Sequence, residues 1–583
     1  MNRREFNRLL TAGAIAGILP KTSLAFSSIQ PNYELPQKGN ARLLHITDCH
    51  AQLNPIYFRE PNVNIGLHEA LGKTPHIVGE AFLKKNALSQ NSIEAHAFTY
   101  LNFNAGAKEF GKVGGFAHLS TLIKSLRSSA GGNENSLLLD GGDTWQGSAT
   151  AYWSRGKDMV QAANLLGVDV MTGHWEFTYK DEEVFSNIDD FNGEFLAQNI
   201  KLTEDALFEG KRAHDEDSGH VFMPYSIKEI NGHRVAIIGQ AFPYTPVANP
   251  KRFIPDWSFG IQNQELQELV DEIKENEKPS AVILLSHNGM DVDLKLASVV
   301  TGIDFILGGH THDGVPRPVT VKNSSGKTVV TNAGSNGKFV GVLDLNIQNG
   351  VVKGYEYRLL PVFSNFIKAD AEMAALIESI RKPHLDTLSE ELAVSESLLY
   401  RRGNFNGTFD QLICDALRHE LNAEISLSPG FRWGTTVLPG QAITFEHVMD
   451  QTCITYPETY ARDMQGKEIK AILEDVADNL FHPDPFYQQG GDMVRVGGMN
   501  YTCEPTAATG QRITNMTLDN GKSIEANKYY KVAGWATVGS KAHGKPIWEV
   551  VSRYLRDQKT INITTINSPK LKNLGSNLGN IIL

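Results

Sequence analysis

Six short stretches of this chain hold side chains that bind metal ions or move protons, and each closes an apolar run. They read "TDCH" (Asp48, His50), "GGD" (Asp143), "GHWE" (His174, Glu176), "AQN" (Asn199), "SHNG" (His287) and "GGHTH" (His310, His312). Carboxylate and imidazole ligands in this mixture suit a pair of borderline divalent cations. Two such ions ~3.5–4 Å apart activate a water and stabilise charge on an attacked oxyanion. One buried histidine alone is usually a satisfied core residue. Several such motifs in succession, all at strand ends, argue for one shared centre. The odd member is Trp175, directly after His174, because an indole neither ligates nor shuttles protons.

The elements that must position these residues are legible as apolar runs across residues 40–360, among them "ARLLHITD", "NSLLLDGGD", "VDVMTG", "EFLAQNI", "RVAIIGQ", "SAVILLSHNG" and "IDFILGGHTH". Near-continuous apolar runs mark strands buried on both faces. Helical patterns such as "AHLSTLIKSLRS" and "QNQELQELVDEIKENE" lie between them. The polar residues fall just beyond the strands, where open α/β sheets build their sites. Residues 361–394 read as a helical linker, and residues 395–583 as a second domain from "GNFNGTFDQLICDALRHELNAEISLS" to "YYKVAGWATVG" and a polar tail.

A net charge of -11 argues against a nucleic-acid partner. Arg3 and Arg4 precede the short apolar run "LLTAGAIAGILP" and small residues at cleavage spacing, so residues 1–25 read as a twin-arginine export signal. Its removal leaves the chain near -14, because the segment holds four positive charges and one negative. No later stretch approaches ~18 consecutive apolar residues, which leads us to expect an exported periplasmic protein without membrane insertion. The four cysteines are too scattered for a disulfide scaffold, although an oxidising compartment would permit some pairing among Cys414, Cys453 and Cys503.

The order D-x-H, G-G-D, G-N-H-E, H-x-G, G-H-x-H resembles the calcineurin-like metallophosphatases, specifically their 5'-nucleotidase branch, and the second unit resembles that branch's C-terminal domain. The resemblance implies an α/β fold: a four-layer αββα domain, a helical linker and a smaller α+β substrate domain. It also implies one metal held by Asp48, His50, Asp143 and His312. The other would be held by Asp143, His174, His287 and His310, with Asp143 bridging. His174 stands where the family has the asparagine of G-N-H-E. The next family position is a histidine, followed shortly by an acid, which together help the leaving alkoxide; here those places hold Trp175 and Thr178. An alkoxide needs that help, whereas a thiolate is a much weaker base, its thiol having a pKa of roughly 8.5. Either the site asks for a sulfur leaving group, or Trp175 merely packs and another residue takes the acid role.

"YFREPNVNIG", "GKVGGFAHLSTLIKSLR", "GGDTWQGSATAYWSRGKDMV" and "GHWEFTY" closely resemble the SoxB thiosulfohydrolases within that branch. That resemblance implies two manganese ions and the release of sulfate from a cysteine S-thiosulfonate on the arm of a SoxYZ carrier. Arg432 in "PGFRWG" matches the arginine by which nucleotidases grip an anion, a task suited to a forked guanidinium. Arg59 either helps in the same way or forms a salt bridge. Glu176 either orients a ligand or acts as a general base. Asn199 either reaches the metals or serves a turn. Asp140 reads as loop support, Cys49 as packing, and "GGDMVRVGG" as a substrate-proximal loop. The aromatic base clamp of nucleotidases has no match. The competing readings are an exported 5'-nucleotidase or phosphomonoesterase and a metal-stabilised adaptor that only docks the carrier.

Overall fold

Strands that are apolar on both faces need cover on both, and two stacked sheets provide it. The computed structural model describes residues 31–539 and 541–580, so the export signal read at residues 1–25 lies outside the described residues. The first six-stranded sheet runs in the order Val351–Pro361, Phe339–Gln348, Ala41–Ile46, Ser136–Asp140, Val170–Met171, Glu194–Phe195. The second runs Val319–Asn323, Gly326–Asn332, Phe305–Gly308, Ala281–Ser286, His233–Gln240, Tyr225–Ile230. Ala41, Leu43, Leu139, Ile237, Leu285, Leu307 and Leu343 interdigitate between them. Helices cover the outer faces: Phe116–Ser129 buries Leu119, Leu122 and Leu126, and Asn263–Asn276 buries Leu266, Val270 and Ile273. This is the four-layer α/β architecture expected.

Inner strands of each sheet pair in parallel, as Leu44 opposite Leu138 and Leu307 opposite Leu285 show. Their carboxyl ends therefore gather along one edge, and the ligand loops leave from there. One expectation changes in detail. "EFLAQNI" forms two short strands, Glu194–Phe195 and Ile200–Leu202, and not one. The break comes at Asn199, whose side-chain amide donates to the carbonyls of Ala241 and Gly260.

The linker helix Ala371–Arg381 is capped by Asp370 and buries Met373 and Ile377 in the first domain's outer core. Arg381 then pairs with Glu446 of the second domain. Strand Glu391–Ser395 already belongs to the second domain, pairing with Ala442–Thr444 and Thr560–Ile561. That domain centres on a four-stranded sheet, Thr459–Gln465, Tyr529–Trp535, Ile425–Ser428, Arg495–Gly497, against which the helix Thr408–Glu420 buries Phe409, Leu412, Ile413 and Leu417. All four cysteines are free and buried, so the permitted pairing among Cys414, Cys453 and Cys503 does not occur. Cys49, Cys453 and Cys503 each sit in a different hydrophobic core. Among the described residues no helix is long and apolar enough to cross a membrane.

Candidate metal centre

Five of the seven proposed ligands lie in backbone conformations that side-chain-bearing residues rarely adopt. Asp48, His50, Asp143, His310 and His312 have φ of 51°, 45°, 58°, 69° and 58°. Each such residue costs about 1–3 kcal/mol, which the surrounding structure must offset. The offset is visible in main-chain bonds that tie the loops together. Asp48 N donates to Gly142 O at 2.8 Å and His50 N to Asp143 O at 2.8 Å, while His310 N donates to the Asp48 carboxylate at 3.0 Å.

The turns aim all seven side chains at one place. Asp143, His174, His287 and His310 form one group, and Asp48, His50, Asp143 and His312 a second, with ligand atoms in each within 4.8 Å of one another. Asp143 belongs to both. His50 Nε2 and His312 Nε2 stand 3.0 Å apart, and His312 Nε2 is 3.1 Å from Asp48 Oδ1. Two imidazole nitrogens and two carboxylates converging this closely, all buried, call for positive charge between them. The donor set and its geometry fit two divalent cations.

Protonation agrees. Burial drives His50 down to about 4 and lowers His174, and it takes His310 and His312 well below the usual histidine range. These rings are neutral and free to ligate. Burial opposes the ionised form of Asp143 too, but His174 and His287 outweigh it and hold the carboxyl well below its usual range. At His287 burial favours the neutral ring, yet Asp143 and Asp48 together raise it to about 10. His287 Nδ1 donates to Gly141 O at 2.5 Å, and His50 Nδ1 to Gln146 O at 3.2 Å, which leaves Nε2 of each ring facing the centre.

Glu176 lies behind the ligands and supports them. Its carboxylate accepts the main-chain N–H groups of Asp143, Thr144, Trp145 and His174 at 3.1, 2.7, 3.1 and 2.8 Å. Four donors fill its acceptor sites, and this geometry suits the orienting role over that of a base. Asp140 accepts from Gly142 N and Thr144 Oγ1, bracing the same loop. Trp175 donates its main-chain N–H to Asp143 Oδ1. Its indole meets Phe431 and Trp433 edge-on, with centroids 5.5 and 5.1 Å away. Trp433 in turn lies 5.4 Å from the His50 ring, so aromatic residues of both domains close over the centre.

A cavity of ≈ 780 Å³ opens beside His310, with Arg402, Arg432, Gly491 and Asp492 in its wall. Arg432 donates to Gly491 O at 2.9 Å, and Arg402 donates to the carbonyls of Thr311 and His312 at 3.1 and 3.2 Å. Gly490 packs so tightly that a Cβ there would lie 2.1 Å from His310 Nε2. The loop read as substrate-proximal therefore does reach this wall. Arg402 and Trp433 escaped the sequence reading, and Asp492 entered it only as part of its loop: nothing in "YRRG" separates Arg402 from Arg401, and an indole beside Arg432 looks like ordinary core.

Two candidates lie elsewhere. The Arg59 guanidinium sits between the rings of Tyr400 and Tyr100, 3.9 and 4.9 Å from their centroids, and is absent from the cavity wall. Among the described residues it forms no salt bridge, and cation–π stacking with the two tyrosines holds its charge. Asn199 serves the turn described above.

Residues 392–551 match the model of the 5'-nucleotidase C-terminal domain. Rat 5'-nucleotidase is 30% identical over 467 residues, covering 72% of this chain and 76% of the rat protein. The solved structure of sulfate thiohydrolase SoxB from Thermus thermophilus superposes with a TM-score of 0.85 at 38% identity, covering 93% of this chain and 98% of that one. The chain belongs to the SoxB branch of the 5'-nucleotidase family. SoxB-branch membership puts it among the metallophosphoesterase hydrolases, in agreement with the paired Asp/His groups. It also resembles the trifunctional nucleotide phosphoesterase YfkN of Bacillus subtilis, at 26% identity over 75% of this chain, but spans only 31% of that longer protein.

Proposed function

We propose that this chain is an exported, periplasmic thiosulfohydrolase that releases sulfate from a cysteine S-thiosulfonate on a SoxYZ-type carrier. The likeness to the Thermus SoxB over nearly its whole length carries the reading. Asp48, His50, Asp143, His174, His287, His310 and His312 would hold two divalent ions, manganese in this reading. When bound, such a pair lowers the pKa of a water and stabilises charge on an attacked anion. In the reaction a water oxygen bonds to the sulfonate sulfur and the S–S bond breaks. Its electron pair leaves with the persulfide sulfur, and two protons are released with sulfate.

The chain's own residues bind, orient and exclude water. Arg432 and Arg402, at the cavity wall beside His310, suit the sulfonate oxygens. Trp175, Phe431 and Trp433 shut solvent away from the centre, where charge interactions are then stronger. Trp175 offers no proton to a leaving group, and a persulfide needs none.

Sulfate release from a thiosulfonated carrier, measured beside phosphate release from AMP with the manganese-loaded enzyme, tests the reading. Sulfate release with negligible phosphate is expected. Brisk AMP turnover without sulfate would favour the nucleotidase reading that the rat relative supports.

A further inference from the structure

The cavity wall beside the metal centre is not simply basic. Asp492 lies in it, 4% exposed, among three arginines. Its Oδ1 is 3.7 Å from Arg432 Nε and accepts from Asn404 Nδ2 at 3.2 Å, while its Oδ2 is 3.2 Å from Arg495 Nη2. Its main-chain N–H donates to Gly430 O at 3.0 Å, which ties the loop 490–493 to the segment that carries Arg432. Arg402 Nε, also buried, has no hydrogen-bond partner among the described residues. The wall thus presents guanidinium donors to an anion while a carboxylate neutralises part of their charge.

That arrangement matters for which anion binds. A guanidinium accepts tetrahedral oxyanions of either charge by the same fork, so Arg432 and Arg402 alone cannot separate a sulfonate from a phosphate. A fixed carboxylate a few ångströms away can. Its repulsion of a dianion is twice that of a monoanion at the same distance, and burial weakens solvent screening. A thiosulfonate carries one negative charge, a phosphate monoester near neutral pH close to two.

We propose that Asp492 is a specificity-determining residue that sets this subsite for singly charged sulfonates over doubly charged phosphates. The substrate class rests on the thiosulfohydrolase reading above. The same repulsion acts on the product, since sulfate leaves as a dianion and is pushed out of a wall that tolerated the monoanionic substrate. Asp492 also positions Arg432, so loss of its charge and loss of its shape must be distinguished. Asp492→Asn keeps the shape and removes the charge; Asp492→Glu keeps the charge.

The test measures binding of inorganic phosphate and of methanesulfonate to the manganese-loaded full-length enzyme by calorimetry near pH 8, where phosphate is mainly dianionic. For Asp492→Asn, phosphate affinity is expected to rise about tenfold relative to methanesulfonate. Asp492→Glu should keep the wild-type ratio. A ratio unchanged in Asp492→Asn, or changed equally by both variants, overturns the proposal. Should Asp492→Asn fail to fold, Asp492→Ser removes the charge with a smaller side chain and must shift the ratio the same way; no shift there also overturns it. Because the readout is binding, it stands apart from sulfate release: an enzyme that fails to release sulfate yet shows the ratio change sinks the thiosulfohydrolase reading alone.

Discussion

The main-chain N–H of Trp175 lies 2.7 Å from Asp143 Oδ1, so the residue that departs from the family pattern also holds the carboxylate shared by both ligand groups. Any substitution except proline keeps that bond, and side-chain changes therefore isolate the indole. Trp175→His restores an imidazole at a position where nucleotidases use one. Turnover of AMP, whose alkoxide leaving group needs a proton, is expected to rise about 10²-fold, the usual scale for a positioned acid. Sulfate release should fall. Trp175→Phe, which keeps the contact with Trp433, should gain no phosphatase activity. If the histidine variant gains none either, the missing proton donor is not what excludes phosphate esters.

Glu176→Gln tests support behind the ligands. The neutral amide keeps one acceptor oxygen for four main-chain donors and brings an N–H₂ group towards them. Metal affinity should drop about 10–100-fold. Saturating manganese should recover most of the activity. Full loss at saturation would instead argue for the general-base role.

Asp143 separates an enzyme from an adaptor. Asp143→Ala removes the one side chain shared by both ligand groups. Sulfate release should vanish and bound manganese fall below two per chain, with carrier affinity by surface plasmon resonance changed less than about threefold, since Asp143 is buried. Parallel loss of docking and turnover would point to a collapsed site.

How much of this was legible beforehand follows from what each residue depends on. Asp48, His50, Asp143, His174, His287, His310 and His312 were readable because parallel strands end together, so residues just past consecutive strands must meet. Helices Phe116–Ser129 and Asn263–Asn276 were readable from apolar spacing alone. The surroundings of Arg59 were not legible, because charge and an odd local motif say nothing of neighbours; Tyr100 and Tyr400, which stack on it, are remote in sequence. The loop of Asp492 was legible in "GGDMVRVGG", but its partners Asn404, Gly430 and Arg432 are distant in sequence, and Trp433 meets His50 and Trp175 only where the two domains touch.

Metal removal has a signed proton signature. Asp143 and Asp48 raise His287 to about 10 despite its burial, so near pH 8 the metal-free ring is protonated and a cation must displace that proton. Adding manganese to chelator-treated enzyme in weak buffer should release about one proton per centre near pH 8. Melting temperature should rise by several degrees at the same time, as binding offsets the five left-handed ligand residues. A titration that releases no proton would show that His287 is neutral before the ion arrives.

His76 supplies a pH dependence away from the ligands. Its Nε2 is 2.8 Å from Asp291 Oδ2, pinning the segment 62–78 to the helix Met290–Val299 at the cavity's edge. Burial alone would lower this histidine, but the Asp291 carboxylate outweighs burial and raises it above its ordinary value. With the folded value above the unfolded one of about 6.5, the pair's contribution is fully present below about pH 6.5 and is lost as pH climbs through the raised value. Wild type should therefore melt higher than Asp291→Asn by its largest margin near pH 6 and by a shrinking margin towards pH 9, as read by calorimetry. A margin that stays constant across that range would mean that His76 is neutral in the folded protein and that the contact is an ordinary hydrogen bond.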